Sequence, residues 1–244
     1  MPAPYSQPMK PALRDLRVWR DGTFRTAAEN MALDESLLDW SRETGVAAIR
    51  FYAWDHPART VGYFAQRNAF DAVGEDNVVR RFTGGGLVEH GDDLTFALAV
   101  PAGEALAFAS AQERYRGIHE ALAAVLIGAG VEVTPVAPDQ VTGTGPCFAN
   151  PVPWDLIDPV SGLKIVGGAQ RRSRGAFLHQ GSVRLAEKLR STQAPWVWAF
   201  VSGLAGSVGP LDPAIEDHLV SGATSLVAIR YGDPAWNAGK KPSE

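Results

Sequence analysis

The sequence predicts an α+β protein, a largely antiparallel sheet packed by helices. Two observations carry this. Helical and strand-like segments come in mixed order with hairpin-like connections, so the strand–helix–strand rhythm of a doubly wound sheet is not sustained. Three strand-like runs between residues 154 and 185 also read as a meander. Taken in order, residues 26–42 read as a helix, with Ala27, Met31, Leu33, Leu37 and Leu38 near one face and Gly45 placed to end it. Residues 46–54 and 59–64 read as strands, and 78–82 as a short strand running into three glycines. Residues 94–100 alternate and stop at Pro101, which suits a strand. Residues 106–127 carry Ile118, Leu122, Val125 and Leu126 on one stripe, with Gly128 and Gly130 as the stop of a helix. A short strand is expected at 131–134. The meander comprises 154–157, 163–170 and 176–185, and helices at 196–200 and 215–229 close the chain. Residues 1–13 and 232–244 read as loose tails, and no composition break divides residues 14–231, so one domain is expected there.

Composition narrows the function. The net charge is −4, which gives no broad electrostatic case for nucleic acid or an anionic membrane surface. No apolar run reaches the roughly 18 residues a membrane span needs. The Pro-rich start lacks the apolar core of a signal peptide, so a reduced, cytoplasmic setting is expected. A single cysteine excludes an internal disulfide and a four-cysteine zinc site. The histidines at 56, 90, 119, 179 and 218 form no close ligand pair, so no metal site is expected.

Three segments carry chemistry. In Arg80-Arg81-Phe82-Thr83-Gly84-Gly85-Gly86-Leu87-Val88-Glu89-His90, three contiguous glycines cost backbone entropy and need a reason. One reason is a tight hairpin turn. The other is a ligand lying on the backbone, its anionic or polar end met by Arg80, Arg81, Thr83 and His90. The spacing fits neither a P-loop nor a dinucleotide fingerprint. In Leu163-Lys164-Ile165-Val166-Gly167-Gly168-Ala169-Gln170, a lysine stands in an apolar strand followed by small residues. It either snorkels to solvent or is held over a site, where its charge can meet an oxyanion. Cys147, in Gly145-Pro146-Cys147-Phe148, is either a small buried hydrophobe or a nucleophile activated by a nearby cation such as Lys164 or His179.

These segments together resemble the lipoate–protein ligase family, whose superfamily also holds biotin ligases and octanoyl transferases. The resemblance runs from Asn30-Met31-Ala32-Leu33-Asp34-Glu35 through Arg50-Phe51-Tyr52-Ala53-Trp54 and Thr60-Val61-Gly62-Tyr63-Phe64. It continues in the triple-glycine motif with His90, in Asp93-Leu94-Thr95-Phe96 and in the lysine motif from Lys164 to Gln170. It implies a biotin/lipoate-ligase-type catalytic domain. Arg81, Thr83, Gly84, Gly85 and Gly86 would line a tunnel for an eight-carbon acyl chain. Arg81, Thr83 and His90 would sit near the acyl carboxylate or an adenylate phosphate. Lys164 would contact the acyl carbonyl, and Gly167, Gly168 and Ala169 would keep the site open. Two departures stand out. The family's His-Gly pair is replaced here by Gln180-Gly181, with His179 one residue earlier. His179 is kept as a substrate-side residue without a catalytic role, because a one-residue offset on a strand turns a side chain to the other face. Leu87 replaces a common alanine and would add bulk beside the tunnel.

The family offers two reactions. A transferase takes octanoyl from an acyl carrier protein onto a cysteine and passes it to a lysine of a lipoyl domain or of the glycine-cleavage carrier protein. A ligase activates free lipoate with ATP and Mg²⁺ through lipoyl-AMP and then modifies the same lysine. Cys147-Phe148 followed by Trp154-Asp155-Leu156 resembles the cysteine-dependent transferases, and residues 186–244 read as helices of the main domain plus a tail, without the extra domain of many ligases. The transferase is therefore favoured, with no permanently bound cofactor. The alternatives are a ligase whose accessory piece is a separate subunit and a non-catalytic acyl-binding relative. The basic cluster Arg171, Arg172 and Arg174 is a candidate docking patch for an acidic carrier.

Overall fold

The computed structural model describes residues 12–65, 78–138 and 151–239. The chain opens with β1 (Leu13–Arg20), α1 (Ala27–Thr44), β2 (Ala47–Tyr52) and β3 (Ala58–Val61). Then come β4 (Val78–Arg80), β5 (Val88–His90) and β6 (Asp93–Val100). Two helices follow, α2 (Ala105–Phe108) and α3 (Ala111–Gly128), then β7 (Thr134–Pro135) and β8 (Leu156–Ile157). The hairpin of β9 (Lys164–Ser173) and β10 (Ala176–Arg184) leads to α4 (Pro195–Leu204) and β11 (Ala205–Pro210). α5 (Pro213–Leu226), a π turn (Val227–Tyr231) and α6 (Pro234–Asn237) end the described chain.

Local chemistry explains the main helices. Thr26 and Glu29 form a reciprocal capping box on α1, and Gly45 closes it at φ 73°. Ser110 and Glu113 form the same box on α3. That second box corrects the single helix expected over 106–127. Ser110 takes an extended conformation to cap α3, so the helix is split behind α2.

The large sheet runs β11-β1-β2-β6-β10-β9-β8-β7. From β2 onward every pairing is antiparallel, while β1 pairs in parallel with both β2 and β11. The expected largely antiparallel α+β class therefore holds, with a parallel edge. The β9–β10 turn is two residues, Arg174 at φ 49° and Gly175 at φ 86°, which is the geometry that matches strand twist. A small sheet, β4-β3-β5, stands beside the large one and carries the glycine loop between β4 and β5.

Each face of the large sheet has its own apolar core. Phe51, Phe96, Leu98 and Phe177 pack with Ile118, Leu122 and Leu126 of α3 and with Trp196, Val197 and Phe200 of α4. On the other face Ala48, Tyr52, Ala97 and Leu178 pack under Met31, Leu33, Leu37 and Leu38 of α1, with Leu219 of α5 and Trp236. Alternation along β2, β6 and β10 assigns the side chains to the two cores.

Three expectations are corrected here. Residues 14–20 carried no strand assignment and Leu13 was placed in a loose tail, yet β1 lies inside the sheet, with Leu13 buried and paired to Ala205. β11 reads Ala-Gly-Ser-Val-Gly-Pro, with no strand propensity of its own, and β1 supplies its partner. The stretch from 232 was expected to be loose, but its first half is pinned. The Trp236 indole N–H donates to the Arg80 carbonyl at 2.9 Å, and Arg80 Nε donates to the Trp236 carbonyl at 3.1 Å. Short polar sequence around one tryptophan looks like a tail until its socket is known.

Candidate active site

Lys164 is the first residue of β9, and its side chain is buried. Its Nζ lies 2.7 Å from Oδ2 of Asp155, which is also fully buried. The other carboxylate oxygen accepts the Tyr115 hydroxyl at 2.5 Å, and Oδ2 takes the Val152 N–H at 2.7 Å. Tyr115 comes from α3, and its oxygen accepts the Gly168 N–H at 2.8 Å. The lysine is thus held from three sides: its own strand, the segment before β8, and a helix. Burial pushes the Asp155 carboxyl up against the opposing pull of the Lys164 charge and its hydrogen bonds. Gly167 makes this possible. A Cβ there would lie 2.2 Å from Cε of Lys164, so only glycine lets the lysine pass.

A narrow pocket opens beside this group. It is lined by Lys164, Gly167, Gly168 and Ala169 from β9, and by Gln180, Gly181 and Ser182 from β10. Thr60, Arg81, Val88 and His90 come from the small sheet and its loop, and Met31, Tyr52 and Thr95 complete the lining. The structure therefore brings Lys164, Gly167, Gly168 and Ala169 together with Arg81 and His90, whereas Thr83, Gly84, Gly85 and Gly86 are not among the lining residues.

The glycine loop is held by Arg81. Its guanidinium donates to the carbonyls of Gly84 at 2.6 Å and Gly86 at 2.9 Å, and to Thr60. Gly85 sits at φ 89°, where L side chains are strained. The loop also packs tightly on β3: a Cβ on Gly62 would lie 2.0 Å from the Gly85 carbonyl oxygen. Gly85 and Gly62 are thus required by the turn and its close packing, while the space beside Gly84 is open. Arg80 is spent inward, on the carbonyls of Gly62, Tyr63 and Ala65.

Thr83 is fully buried and donates to Oε1 of Gln180 at 2.6 Å. Nε2 of Gln180 donates in turn to Asp34 at 2.6 Å. Asp34 also takes the Tyr52 hydroxyl and an ion pair from Arg50, whose other donors meet Asp21 and Asn30. Gln180 thus ties the glycine loop to a buried ionic network under α1. Burial pushes the Asp34 carboxyl up, while for Asp21 the Arg50 charge and hydrogen bonds outweigh burial and bring it down.

Two sequence expectations change. His179, placed on the substrate side, points to the opposite face of the sheet from Gln180. It is fully buried, stacks on Phe96 and faces His119, with Nδ1 receiving the Gln170 amide N–H at 3.0 Å. Burial and the Arg114 charge push it down to about 3, so it is neutral. Leu87 packs toward Val61 and Val78 in a small separate cluster, and Val88 is the neighbour that faces the pocket. The proposed docking patch is also reduced. The Arg171 guanidinium lies 3.7 Å from the Tyr63 ring centre and 3.9 Å from that of Phe82, and it donates to the Phe82 carbonyl. Cys147 lies outside the described residues. Tyr115 escaped the sequence reading because a lone Tyr on a helix carries no spacing signal, and Thr60 entered only as part of a motif, without a site role. Asp155 was visible as the acid of its triplet, but not as the partner of Lys164.

Comparison with known proteins identifies the fold and the family. Lipoate-protein ligase A, in a structure bound with ATP, superposes with a TM-score of 0.68 at 19% identity, covering 92% of this chain and 99% of that one. A bi-partite lipoate protein ligase from Thermoplasma acidophilum, described with its E2 lipoyl domain, gives 0.61 at 19% identity over 96% and 99%. The fold is that of the lipoate–protein ligases. The family model for the lipoyl protein ligase A/B catalytic domain matches residues 26–194, and the chain belongs to that family. It is 32% identical over 181 residues to the octanoyltransferase LipM of Oceanobacillus iheyensis, covering 71% of this chain and 66% of that protein. The corresponding figures for LipM of Bacillus subtilis are 34% over 183 residues, 68% and 65%. The chain thus spans just under two thirds of the length of these curated relatives.

Proposed function

We propose that the protein transfers an octanoyl group from an acyl carrier protein to a specific lysine of a lipoyl-type domain, through a thioester on Cys147. The observation that carries this is the buried Lys164–Asp155–Tyr115 group at the end of a pocket lined by small residues, in a chain 32–36% identical to LipM octanoyltransferases. In this reading the Cys147 thiolate attacks the donor thioester, and the acyl chain occupies the pocket between Met31, Val88 and Ala169. The Lys164 ammonium faces the carbonyl oxygen as negative charge develops there. It is preorganised by Asp155, so little reorganisation is needed during reaction. The acceptor lysine then attacks the acyl-enzyme and the cysteine leaves. A covalent acyl-enzyme splits one difficult transfer into two easier ones. The lipoyl domain and the acyl carrier protein are the implied partners. Among the described residues no helix is long and apolar enough to cross a membrane.

The test is intact-protein mass after mixing with octanoyl-acyl carrier protein in the absence of ATP, for wild type and Cys147→Ser. A hydroxylamine-sensitive octanoyl adduct on the wild type alone supports the thioester route. AMP formation from lipoate and ATP, with no adduct, would replace it with the ligase reaction.

A further inference from the structure

His90 stands at the junction of two spaces. It lines the inner pocket beside Lys164, and it also lines a wide outer groove bounded by Arg59, Glu89, Arg184, Leu185 and Lys188. No other described residue lines both. Its ring is held on every side. Trp54 stacks on it with ring centres 4.0 Å apart, and the Trp54 indole N–H is itself anchored on Thr95. Nδ1 lies 2.8 Å from Oδ2 of Asp93, and Nε2 lies 2.9 Å from the Thr60 hydroxyl.

The neighbours dictate the tautomer. Asp93 accepts from the hydroxyls of Thr95 and Ser182 and from the Gly91 N–H. Three donors besides the imidazole hold it as a carboxylate against the cost of burial. An ionised carboxylate only accepts, so Nδ1 of His90 carries the proton. In the neutral ring with its proton on Nδ1, Nε2 carries the lone pair, and the Thr60 hydroxyl 2.9 Å away donates to it. Nε2 thus meets Thr60, a residue of the pocket lining, with an oriented carboxylate behind the ring. That is the arrangement of a general base with its orienting acid.

We infer that His90, oriented by Asp93, is the base that takes the proton from the acceptor lysine as it attacks the acyl group, with Thr60 holding the lone pair between turnovers. The inference rests on the acyl-transfer reading above. The neutral amine reaches the pocket through the outer groove and displaces the Thr60 hydroxyl from Nε2. Its nitrogen forms the new C–N bond, its proton passes to Nε2, and the imidazolium is stabilised by Asp93. The C–S bond of the acyl-enzyme then breaks, and the departing thiolate takes the proton from His90, which returns to the neutral form. The charged groups around His90 are Asp93 from β6, Arg81 behind Thr60, Lys164 across the pocket, and Arg59 and Glu89 on the groove side.

Single-turnover kinetics with octanoyl-acyl carrier protein and an isolated lipoyl domain separate the two half-reactions. In His90→Gln, transfer to the lipoyl domain should fall by roughly 10²–10⁴, and by at least about tenfold more than formation of the acyl-enzyme falls, with the apparent affinity for the domain retained. In His90→Ala, added imidazole should restore transfer by a larger factor than it changes acylation. Loss of acylation in parallel with transfer, or transfer by folded His90→Gln at the wild-type rate, overturns the inference and leaves the acyl-transfer reading intact. If His90→Gln does not fold, the imidazole rescue of His90→Ala decides, and absence of rescue overturns the proposal. A wild-type protein that transfers no octanoyl at all sinks the acyl-transfer reading and this inference together.

Discussion

The two faces of β10 put their polar groups to opposite uses. On the α1 side, Gln180 and Ser182 join a web in which each polar group meets another: Thr83, Gln180, Asp34, Tyr52 and Arg50 in one branch, Ser182, Asp93 and His90 in the other. On the α3 side, His179 lies among Phe96, Tyr115 and His119, and the Nε2 atoms of both histidines lack a hydrogen-bond partner among the described residues. Both faces bury polar groups, and the difference is partnering. On the α1 side the buried ionisable groups are paired and hydrogen-bonded, whereas the two histidines on the α3 side, beside the Arg114 and Lys164 charges, stay neutral. The pocket is lined by the α1-side residues of β10, Gln180 and Ser182.

This contrast can be broken from either side. The largest effect is expected at the edge where the faces meet the pocket: Lys164→Ala should abolish octanoyl transfer, a loss of at least about 100-fold from one preorganised donor, while circular dichroism stays native. Arg50→Met leaves Asp34 buried without its cation and Asp21 with Arg25 alone, and should destabilise the fold by about 3–5 kcal/mol in urea unfolding. Gln180→Leu removes the strut between Thr83 and Asp34 and should cost about 1–3 kcal/mol. If Gln180→Leu proves neutral, the α1-side web is not acting as a unit.

On the α3 side the expected signature is pH dependence. His179 is pushed down to about 3 by burial and the Arg114 charge, and His119 well below its ordinary value by burial and then by His179 and Lys164. The unfolded chain binds their protons below about pH 6.5 and the folded chain does not. Between pH 6.5 and about 3 the unfolded state therefore holds more protons, and stability falls as pH falls. His179→Phe should flatten that slope by up to about 1.4 kcal/mol per pH unit. An unchanged slope would mean that His179 is already charged in the folded protein. Asp93, down at about 2, keeps its contribution to far lower pH and loses it only between its ordinary value of 3.8 and about 2.

Much of the fold was legible because its signals are local. The apolar face of residues 26–42, the stop at Gly45 and the alternation of residues 94–100 act within a few neighbours in sequence, whereas the equally local cap at Ser110 was passed over in the single helix expected over 106–127. β1 and β11 were missed because each is a strand chiefly through its partner. Trp236 was missed because its socket is built from Arg80, more than 150 residues away. The site divides in the same way. Lys164 stood out as a cation in an apolar strand, and the triple glycine as an unexplained backbone cost. Their partners Asp155 and Tyr115 come from other elements and could not be paired with them by spacing.

Residue order alone determined the α+β class, the family and the two motifs that meet at the pocket, because periodicity, capping and motif spacing are written in neighbouring residues. Only the tertiary structure decided which side of β10 each polar residue faces, that Arg81 holds the glycine loop, and that His90 joins the groove to the pocket. Those outcomes depend on which distant groups share a buried volume, where an unpaired charge is too costly to survive and a paired one is fixed in place.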